Sequence, residues 1–323
     1  MLQTSDLSQL HLHGVWLTIG SFDGIHAGHR ALLEQLVASA HASQALAGVV
    51  TFYPHPAVVL HGLREPFYLT SPEEKASLLA ELGVDVLINL PFDHALANLE
   101  AGDFMHLLDE HLDMAQVWVG SGFALGRNRG GTLRILREIG TNLGYTLHEI
   151  PLISRSEGKA SSSHIRRLLT HGDVHAAALQ LGRYYSISGE VVHGDARGRT
   201  IGMRTANIQT EPERLLPEIG VYATYAWVNG ERLASVTNIG LRPTFEDQPR
   251  QPRIETHIMG LDADLYGFNV RLEFVERLRD EKHFANVEEL IHQIHGDIQS
   301  AEEIFLNDHT SQNLSSGSKK TQP

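Results

Sequence analysis

The first half of the chain alternates short apolar runs with segments of helical periodicity. Val15–Ile19 is apolar and rich in β-branched residues, which predicts a strand. After the next loop, apolar residues recur at helical spacing at Leu32, Leu33, Leu36 and Val37. This spacing predicts a helix over about residues 29–40 that packs one face on a sheet. Such alternation is typical of βαβ units and a parallel sheet.

The same alternation continues to about residue 179. Strands are predicted at 48–52, 84–90, 116–119 and 146–150, and helices near 102–112 and 132–143. Ser71 is followed by a proline and then by Glu74 at the capping-box position, which predicts the start of another helix. Gly83 is expected to close that helix.

From about residue 184 the pattern changes to strands separated by turn residues. Strands are predicted at 184–193, 205–208, 221–228, 233–238, 254–258 and 270–274, and together they favour an antiparallel barrel or sandwich. A helix predicted at 287–305 has one apolar face that would lie against this sheet. The polar end from Asn307 is predicted to be disordered. The fold class is therefore α/β plus β, with domains at 1–183 and 184–306 and a tail at 307–323.

Length and composition limit the classes of protein to which the chain can belong. It has 323 residues, 42% of them hydrophobic, which favours two domains. The absence of cysteine excludes disulfides, thiolate catalysis and cysteine-ligated metals. A formal charge of −13 argues against broad nucleic-acid binding, which needs a continuous basic face. No leader or membrane-length apolar run is seen, so we expect a soluble cytoplasmic protein with no nucleic-acid or membrane partner. Its oligomeric state is unknown at this point.

A glycine-rich loop follows the first predicted strand and leads into a helix. It reads G-S-F-D-G-I-H-A-G-H over residues 20–29. Backbone amides and the helix N-terminus can converge on an anion here, and glycines let a nucleotide approach the backbone. His26 and His29 are spaced to lie on one side, where they could donate hydrogen bonds to phosphate oxygens. The alternative is an ordinary glycine-rich turn with surface histidines, but the combination favours a phosphate site.

This loop resembles that of the bacterial bifunctional riboflavin kinase and FAD synthetase family. The family pattern G-x-F-D-G-x-H-x-G-H is complete, and T-F-x-P-H-P is present at 51–56. A third segment, S-S-S-H-I-R at 161–166, has serine where the family has threonine; by itself it could be a capped helix. The resemblance implies catalytic roles for His26 and His29 and ATP binding by Gly20, Phe22, Asp23, Gly24, Gly28, Ser162, Ser163 and Arg166. It also implies flavin contacts from His55 and Phe123.

One glycine departs from the family pattern in the first half. The family has G-x-D-F-x-F-G where residues 120–126 read G-S-G-F-A-L-G, so Gly122 replaces an aspartate. The following R-N-R-G-G keeps a basic, glycine-rich character suited to an anion. The role of the missing carboxylate is therefore open.

The second half carries the kinase part of the resemblance. Residues 198–207, G-R-T-I-G-M-R-T-A-N, resemble G-R-x-x-G-x-P-T-A-N, with Arg204 in place of the proline. The resemblance implies that Gly198, Arg199 and Gly202 bind ATP, that Thr205 and Asn207 ligate Mg²⁺, that Glu255 is the base, and that Arg279 contacts flavin. Oxygen ligands suit a hard cation. Taken without the family, Glu255 would more often be a solvent-facing strand residue.

Together these motifs imply an enzyme of FAD biosynthesis with a Rossmann-like nucleotidyltransferase domain and a riboflavin kinase barrel. The kinase would convert riboflavin and MgATP to FMN, and the first domain would join FMN to AMP with release of pyrophosphate. Aminoacyl-tRNA synthetases share a similar histidine motif, but no Lys-Met-Ser-Lys-Ser-like loop or basic extension is present. Pantetheine phosphate and nicotinamide mononucleotide adenylyltransferases share the loop but not the second half. Two alternatives stay open: an adenylyltransferase with a decayed kinase, and a flavin-binding or regulatory protein.

Overall fold

The computed structural model describes residues 1–151, 154–155, 158–194, 203–241 and 252–308. They form two compact units, Met1–Ser162 and the chain from Ser163 onward. The change of sequence pattern near Arg183 thus comes two helices after the division between the units. The barrel domain is predicted to begin at residue 184, after these two helices of the second unit.

The first unit is built on a six-stranded, all-parallel sheet. Its strands are β1 (Leu2–Thr4), β2 (Val15–Ile19), β3 (Ala47–Tyr53), β4 (Val86–Pro91), β5 (Met114–Gly120) and β8 (Thr146–Ile150), in the order β1-β4-β3-β2-β5-β8. Its helices are α1 (Ala27–Ala42), α2 (Pro56–His61), α3 (Pro72–Glu81), α4 (His94–Ala97), α5 (Ala101–Leu112) and α6 (Leu133–Leu143). Two short hairpins pair β6 (Ala124–Leu125) with β7 (Gly131–Thr132) and β9 (Ser154–Arg155) with β10 (Gly158–Lys159).

Both faces of this sheet are covered by helices. Successive residues of β3, Val49 and Val50, are fully buried in two different clusters. Val50 packs with residues of α5, and Val49 packs with residues of α1 and α3. Burial on both faces explains why these strands are nearly continuous apolar runs. The predicted parallel α/β domain is confirmed, although the apolar pattern missed the short edge strand β1, the short helices α2 and α4 and the two hairpins.

The capping signals of α3 also hold. The Ser71 hydroxyl accepts a hydrogen bond from the backbone N–H of Glu74 at 3.1 Å. Gly83 follows the helix with a φ of 85°, a conformation that favours glycine. The helix therefore begins and ends where the sequence predicts.

The second unit contains a closed antiparallel barrel of six strands. Two helices, α7 (Ser162–Thr170) and α8 (Val174–Leu181), precede β11 (Tyr185–Val192), β12 (Ala206–Gln209), β13 (Gly220–Val228), β14 (Glu231–Leu241), β15 (Pro252–Ile258) and β16 (Asn269–Arg279). β11 pairs with both β12 and β16, which closes the barrel and decides against a sandwich.

The C-terminal helix α9 (Val287–Leu306) packs on the barrel, as predicted. Ala301 is fully buried in a cluster with Val221 and Val236 of the barrel. Beyond the helix, the carboxylate of Asp308 accepts hydrogen bonds from the hydroxyls of Tyr184 and Tyr225. The segment predicted to be disordered from Asn307 therefore starts with a residue that contacts the barrel, and its remainder, 309–323, lies outside the described residues.

Candidate active sites

A loop of uncommon backbone conformation joins β2 to α1. Phe22, Gly24 and Ile25 have φ values of 45°, 81° and 38°. Positive φ is uncommon for residues other than glycine, so Phe22 and Ile25 carry a cost that surrounding contacts must offset. The loop leads into the first turn of α1, where backbone N–H groups lack partners within the helix.

Two histidines lie in contact at the start of α1. Nδ1 of His26, the N-cap residue, accepts a hydrogen bond from the backbone N–H of His29 at 3.3 Å. The two rings stack with their centroids 3.7 Å apart and their planes 16° apart. A Cβ at Gly28 would lie 3.2 Å from the His26 ring, so glycine keeps this space clear. Because Nδ1 of His26 is an acceptor, the proton of the neutral ring lies on Nε2.

Burial keeps the second histidine neutral. The pKa of His29 is lowered well below 6.5 by burial first, and then by His26 and Lys75. Its Nδ1 is buried and has no hydrogen-bond partner among the described residues. A neutral imidazole can still donate one hydrogen bond, and a buried ring nitrogen of this kind is a group that a ligand can satisfy.

Asp23 holds the loop to a neighbouring segment. Its carboxylate accepts hydrogen bonds from the backbone N–H groups of Leu69 at 3.0 Å and Thr70 at 3.1 Å, and from the Thr70 hydroxyl at 3.2 Å. The side chain is almost completely buried. The carboxylate thus ties the loop to the backbone of Leu69 and Thr70.

Lys75 of α3 supports the same loop, and the sequence analysis missed it. Its Nζ donates hydrogen bonds to the Ser21 carbonyl at 2.9 Å and to the Thr51 hydroxyl at 3.3 Å. The residue is only 6% exposed, and burial lowers its pKa while Asp23 opposes that shift. The signal was available, because Lys75 is four residues before the buried Leu79 and so falls on the apolar face of α3.

The serine segment also reaches the loop. The Ser162 hydroxyl donates a hydrogen bond to the Asp23 carbonyl at 2.8 Å. This contact places one of the predicted ATP-binding hydroxyls against the 20–29 loop. Ser163, which is exposed, and Arg166, which is half-buried, follow on α7 in the second unit.

The predicted flavin residue His55 lies among aromatic side chains. It is the N-cap of α2, with Nδ1 accepting from the Ala57 backbone N–H at 3.0 Å. Its backbone N–H donates to the Tyr68 hydroxyl at 2.9 Å, and its ring centroid is 4.9 Å from that of Phe67. Phe67 and Tyr68, which the sequence analysis did not select, form the aromatic surroundings of His55.

Gly122 and Phe123 occupy the turn before the β6–β7 hairpin. Gly122 has a φ of 80°, and a Cβ there would meet nothing within 4 Å. Its carbonyl accepts a hydrogen bond from the Arg129 guanidinium at 3.3 Å. Phe123 is partly buried against the core of the sheet, and Arg127 pairs with Glu100. Both arginines of this basic loop, Arg127 and Arg129, therefore already contact other residues of the protein.

A cavity of about 1020 Å³ opens in the second unit. Its lining includes four predicted site residues, namely Thr205, Asn207, Glu255 and Arg279. Asn207 and Glu255 are direct partners across β12 and β15, and Glu255 is also the partner of Asn238 on β14. Gly198, Arg199 and Gly202 lie outside the described residues.

A buried ion pair positions Arg279 at this cavity. Its guanidinium donates to both carboxylate oxygens of Asp297 on α9, at 2.8 and 2.7 Å. Asp297 is 5% exposed and also lines the cavity. The sequence analysis missed it, because an aspartate among the apolar positions of a C-terminal helix carries no motif.

Two family models match the chain. A riboflavin kinase model matches residues 181–305, and an FAD synthetase model matches residues 8–164. The bifunctional riboflavin kinase/FMN adenylyltransferase of Bacillus subtilis (strain 168) is 36% identical over 294 residues, covering 90% of this chain and 92% of that protein. The enzyme of the same description from Escherichia coli (strain K12) is 36% identical over 302 residues, covering 93% and 96%.

This chain belongs to the bifunctional riboflavin kinase/FMN adenylyltransferase family. It carries both enzymatic domains and acts in FAD biosynthesis from riboflavin. A solved structure described as a macrolide-efflux protein from Streptococcus pneumoniae is similar in fold, with a TM-score of 0.85 and 26% identity over 93% of this chain and 98% of that one. In the part of this chain that the structure describes, no helix has the length and apolar character needed to cross a membrane.

The cavity of the barrel offers oxygen atoms suited to a hard cation. Asn207 and Glu255 face each other across the strands, and Oδ1 of Asn238 is buried without a hydrogen-bond partner among the described residues. These donors and the Thr205 hydroxyl fit the preference of Mg²⁺ for oxygen ligands. No group of three or more His, Asp or Glu side chains in the described ranges forms a separate metal centre.

Arg204, which replaces the family proline, points its charge at the surface. Its Nη1 is 2.7 Å from Oδ1 of Asp262, and both side chains are more than half exposed. Its backbone carbonyl is 2.8 Å from Nδ1 of His257, which lines the cavity of the barrel. The backbone at this position therefore stays attached to β15 although the proline is absent.

Proposed function

We propose that the chain makes FAD in two ATP-dependent steps, one at the cavity of the barrel and one at the β2–α1 loop. Riboflavin and ATP give FMN and ADP at the barrel, and FMN and ATP give FAD and pyrophosphate at the loop. The observation that carries the second assignment is the stacked histidine pair at the start of α1, in which His26 is buried and His29 is half-buried. We place both steps in the cytoplasm, with ATP, riboflavin and FMN as the partners.

In the adenylyl transfer, an oxygen of the FMN phosphate attacks the α-phosphorus of ATP and the bond to pyrophosphate breaks. Neutral His26 and His29 donate hydrogen bonds as negative charge builds on the phosphate oxygens. Gly20, Gly24 and Gly28 leave room for the nucleotide beside Phe22, while Asp23 fixes the loop. Ser162, Ser163 and Arg166 are proposed for the pyrophosphate, and His55 and Phe123 for the flavin.

In the kinase step, the terminal hydroxyl of the riboflavin side chain attacks the γ-phosphorus of ATP, and the bond from that phosphorus to the leaving ADP breaks. Glu255 accepts the hydroxyl proton, since a carboxylate within hydrogen-bond reach can act as a general base. Thr205 and Asn207 would hold Mg²⁺, which neutralises charge on the phosphates when it is bound. Arg279 is proposed to contact the flavin, and Gly198, Arg199 and Gly202 the ATP.

The test is to incubate purified protein with MgATP and either riboflavin or FMN, and to separate the products. FMN and FAD from riboflavin, and FAD from FMN, are expected. FAD formed from FMN, with no product from riboflavin, would indicate an adenylyltransferase with a decayed kinase. No product from either substrate, with flavin still bound, would indicate a flavin-binding protein.

The histidine assignment is tested by His29→Ala. Losing one donor to the transition-state charge should lower FAD formation from FMN on the order of a hundredfold. The exposed His106 on α5 supplies a matched control, since His106→Ala removes an imidazole that belongs to none of the motifs. A folded His29→Ala protein with an unchanged rate would show that this site is wrongly assigned.

A further inference from the structure

Arg253 shares one face of β15 with the proposed kinase base. Alternate residues of a strand point to opposite sides, and Ile254 and Thr256 are buried at 3% and 1% exposure. Arg253, Glu255 and His257 are on the other face and line the kinase cavity. The strand itself therefore places a permanent positive charge beside Glu255.

The Arg253 guanidinium joins two of the proposed site residues. Its Nε is 2.7 Å from Oδ1 of Asn207 and 2.6 Å from Oε1 of Glu255. The Arg253 and Glu255 side chains are only 25% and 30% exposed. A Cβ at Gly194 would lie 2.6 Å from Nη2 of Arg253 and 2.2 Å from Nδ2 of Asn207, so the backbone closes on the cluster at this point.

A divalent cation held by Asn207 and this guanidinium need the same oxygen atom, Oδ1 of Asn207. Mg²⁺ binds oxygen at about 2.0–2.1 Å and demands well-placed lone pairs. Asn207 Oδ1 accepts a hydrogen bond from Arg253 Nε instead, and Glu255 Oε1 forms an ion pair with the same guanidinium. Two cations at this separation also repel each other. Both cannot occupy the position at once.

We propose that Arg253 is an internal counter-cation of the kinase pocket, which holds Asn207 and Glu255 in place until a divalent cation displaces it. The proposal rests on the proposed roles of those two residues. Before metal binds, the guanidinium offsets the carboxylate charge and orders the pocket. Its long side chain lets it leave without a change in the strand. The consequence is that Arg253 weakens the affinity of the pocket for a divalent cation.

The test measures Mn²⁺ binding to the full-length protein from the electron paramagnetic resonance of free Mn²⁺, without nucleotide. Arg253→Met should bind Mn²⁺ roughly tenfold more tightly than wild type, because a nearby positive charge is removed. Arg253→Gln keeps an N–H donor but no charge and should show the same direction, whereas Arg253→Lys should stay near wild type. Arg271→Met is the control, since Arg271 is a strand arginine of the same barrel that pairs with Glu273 outside the cavity lining.

Equal or weaker Mn²⁺ binding by both neutral variants, or no binding by any form, would overturn the proposal. Loss of the fold in both neutral variants, seen by circular dichroism, would overturn it as well, because a group that must leave cannot be what holds the barrel together. FMN formation by the wild type tests the proposed function separately. Tighter Mn²⁺ binding without FMN formation would refute the kinase assignment alone, and FMN formation with unchanged Mn²⁺ binding would refute only the role of Arg253.

Discussion

At the scale of single residues, the buried side chains of Asp23 and Lys75 hold the β2–α1 loop in place. Lys75 and Asp23 are both nearly buried and both bond to backbone groups of the loop or of its neighbour. Buried charges are retained only where hydrogen bonds satisfy them. Their arrangement leaves the histidine pair as the part of the loop that we propose to contact the nucleotide.

Replacing Lys75 with methionine should separate activity from stability. The Ser21 carbonyl keeps its hydrogen bond from the Thr51 hydroxyl, and a buried charge is exchanged for an apolar chain of similar length. We expect the free energy of unfolding to fall by less than about 3 kcal/mol, the cost of breaking a buried ion pair, because the Asp23 carboxylate keeps its hydrogen bonds from Leu69 and Thr70. FAD formation from FMN should fall by roughly tenfold to a hundredfold, because the loop loses its fixed position.

The readout for Lys75→Met is denaturant unfolding together with the rates of both reactions. Riboflavin phosphorylation by the same variant is the internal control and should be unchanged. Equal losses in both reactions, or a large loss of stability, would mean that Lys75 acts on the fold and not on the loop.

Arg204→Pro should raise riboflavin phosphorylation. Proline would fix φ beside Thr205 and Asn207 and reduce the motion of the proposed ligands. The lost ion pair with Asp262 is exposed, so its removal should cost less than about 1 kcal/mol. Arg204→Ala, which removes the same ion pair without adding a ring, is the matched control for initial rates with riboflavin and MgATP.

A proline variant no faster than wild type would contradict this expectation. Activity that appears only in the proline variant would mean that the natural kinase site has decayed. Equal gains in the alanine and proline variants would assign the effect to the lost cation and not to the backbone.

At the scale of elements, the kinase pocket is assembled by strand register and by one helix. β12, β15 and β14 bring Asn207, Glu255 and Asn238 into one row. The C-terminal helix α9 adds Asp297, which fixes Arg279 of β16. The helix thus contributes to the site as well as to the core of the barrel.

Asp297→Ala should destabilise the barrel by about 3 kcal/mol, because it leaves the Arg279 guanidinium buried without its carboxylate partner. Riboflavin affinity should fall in the same variant, since Arg279 loses its orientation. Glu138→Ala is the control: it breaks the exposed Arg134–Glu138 pair, which should be worth less than about 1 kcal/mol. Denaturant unfolding measures the stability, and flavin titration measures the riboflavin affinity. Similar losses of stability in both variants would show that the buried ion pair stabilises the protein no more than the exposed pair does.

At the scale of the whole molecule, the chain is acidic, although both of its proposed sites bind phosphate-containing substrates. The formal charge is −13, yet each proposed site gathers donors from a loop or from paired strands. A small anion needs only such local donors, so net charge does not oppose the function.

The stability of the protein should fall with pH in a way that depends on His29. Its folded-state pKa lies below the unfolded value of 6.5, so between the two values the unfolded state binds more protons. The contribution of His29 is therefore present above pH 6.5 and is lost as pH falls towards the folded pKa. One such group changes stability by at most about 1.4 kcal/mol per pH unit.

Chemical unfolding between about pH 7.5 and pH 5 measures this dependence. His29→Asn should show a shallower fall than wild type, while His106→Asn should follow wild type because His106 is exposed. Three coincident curves would mean that His29 is not the group responsible.

The sequence alone determined most of the strands, the longer helices and the contiguous motifs. Apolar periods of two and 3.6 residues are local, so the bounds of β2 and β8 and the caps of α3 could be predicted. The 20–29 loop could be recognised for the same reason, because its glycines and histidines act within one turn. Edge strand β1 was not predicted, since its three residues are exposed or only partly buried and carry no apolar pattern.

Tertiary structure decided what joins residues far apart in the chain. Closure of the barrel depends on β11 meeting both β12 and β16, which no local pattern encodes. Lys75 reaches a loop more than 50 residues away, and Arg253 meets Asn207 across paired strands. Hydrogen bonds and ion pairs of this kind follow from packing and register, so their roles emerge only once the chain has folded.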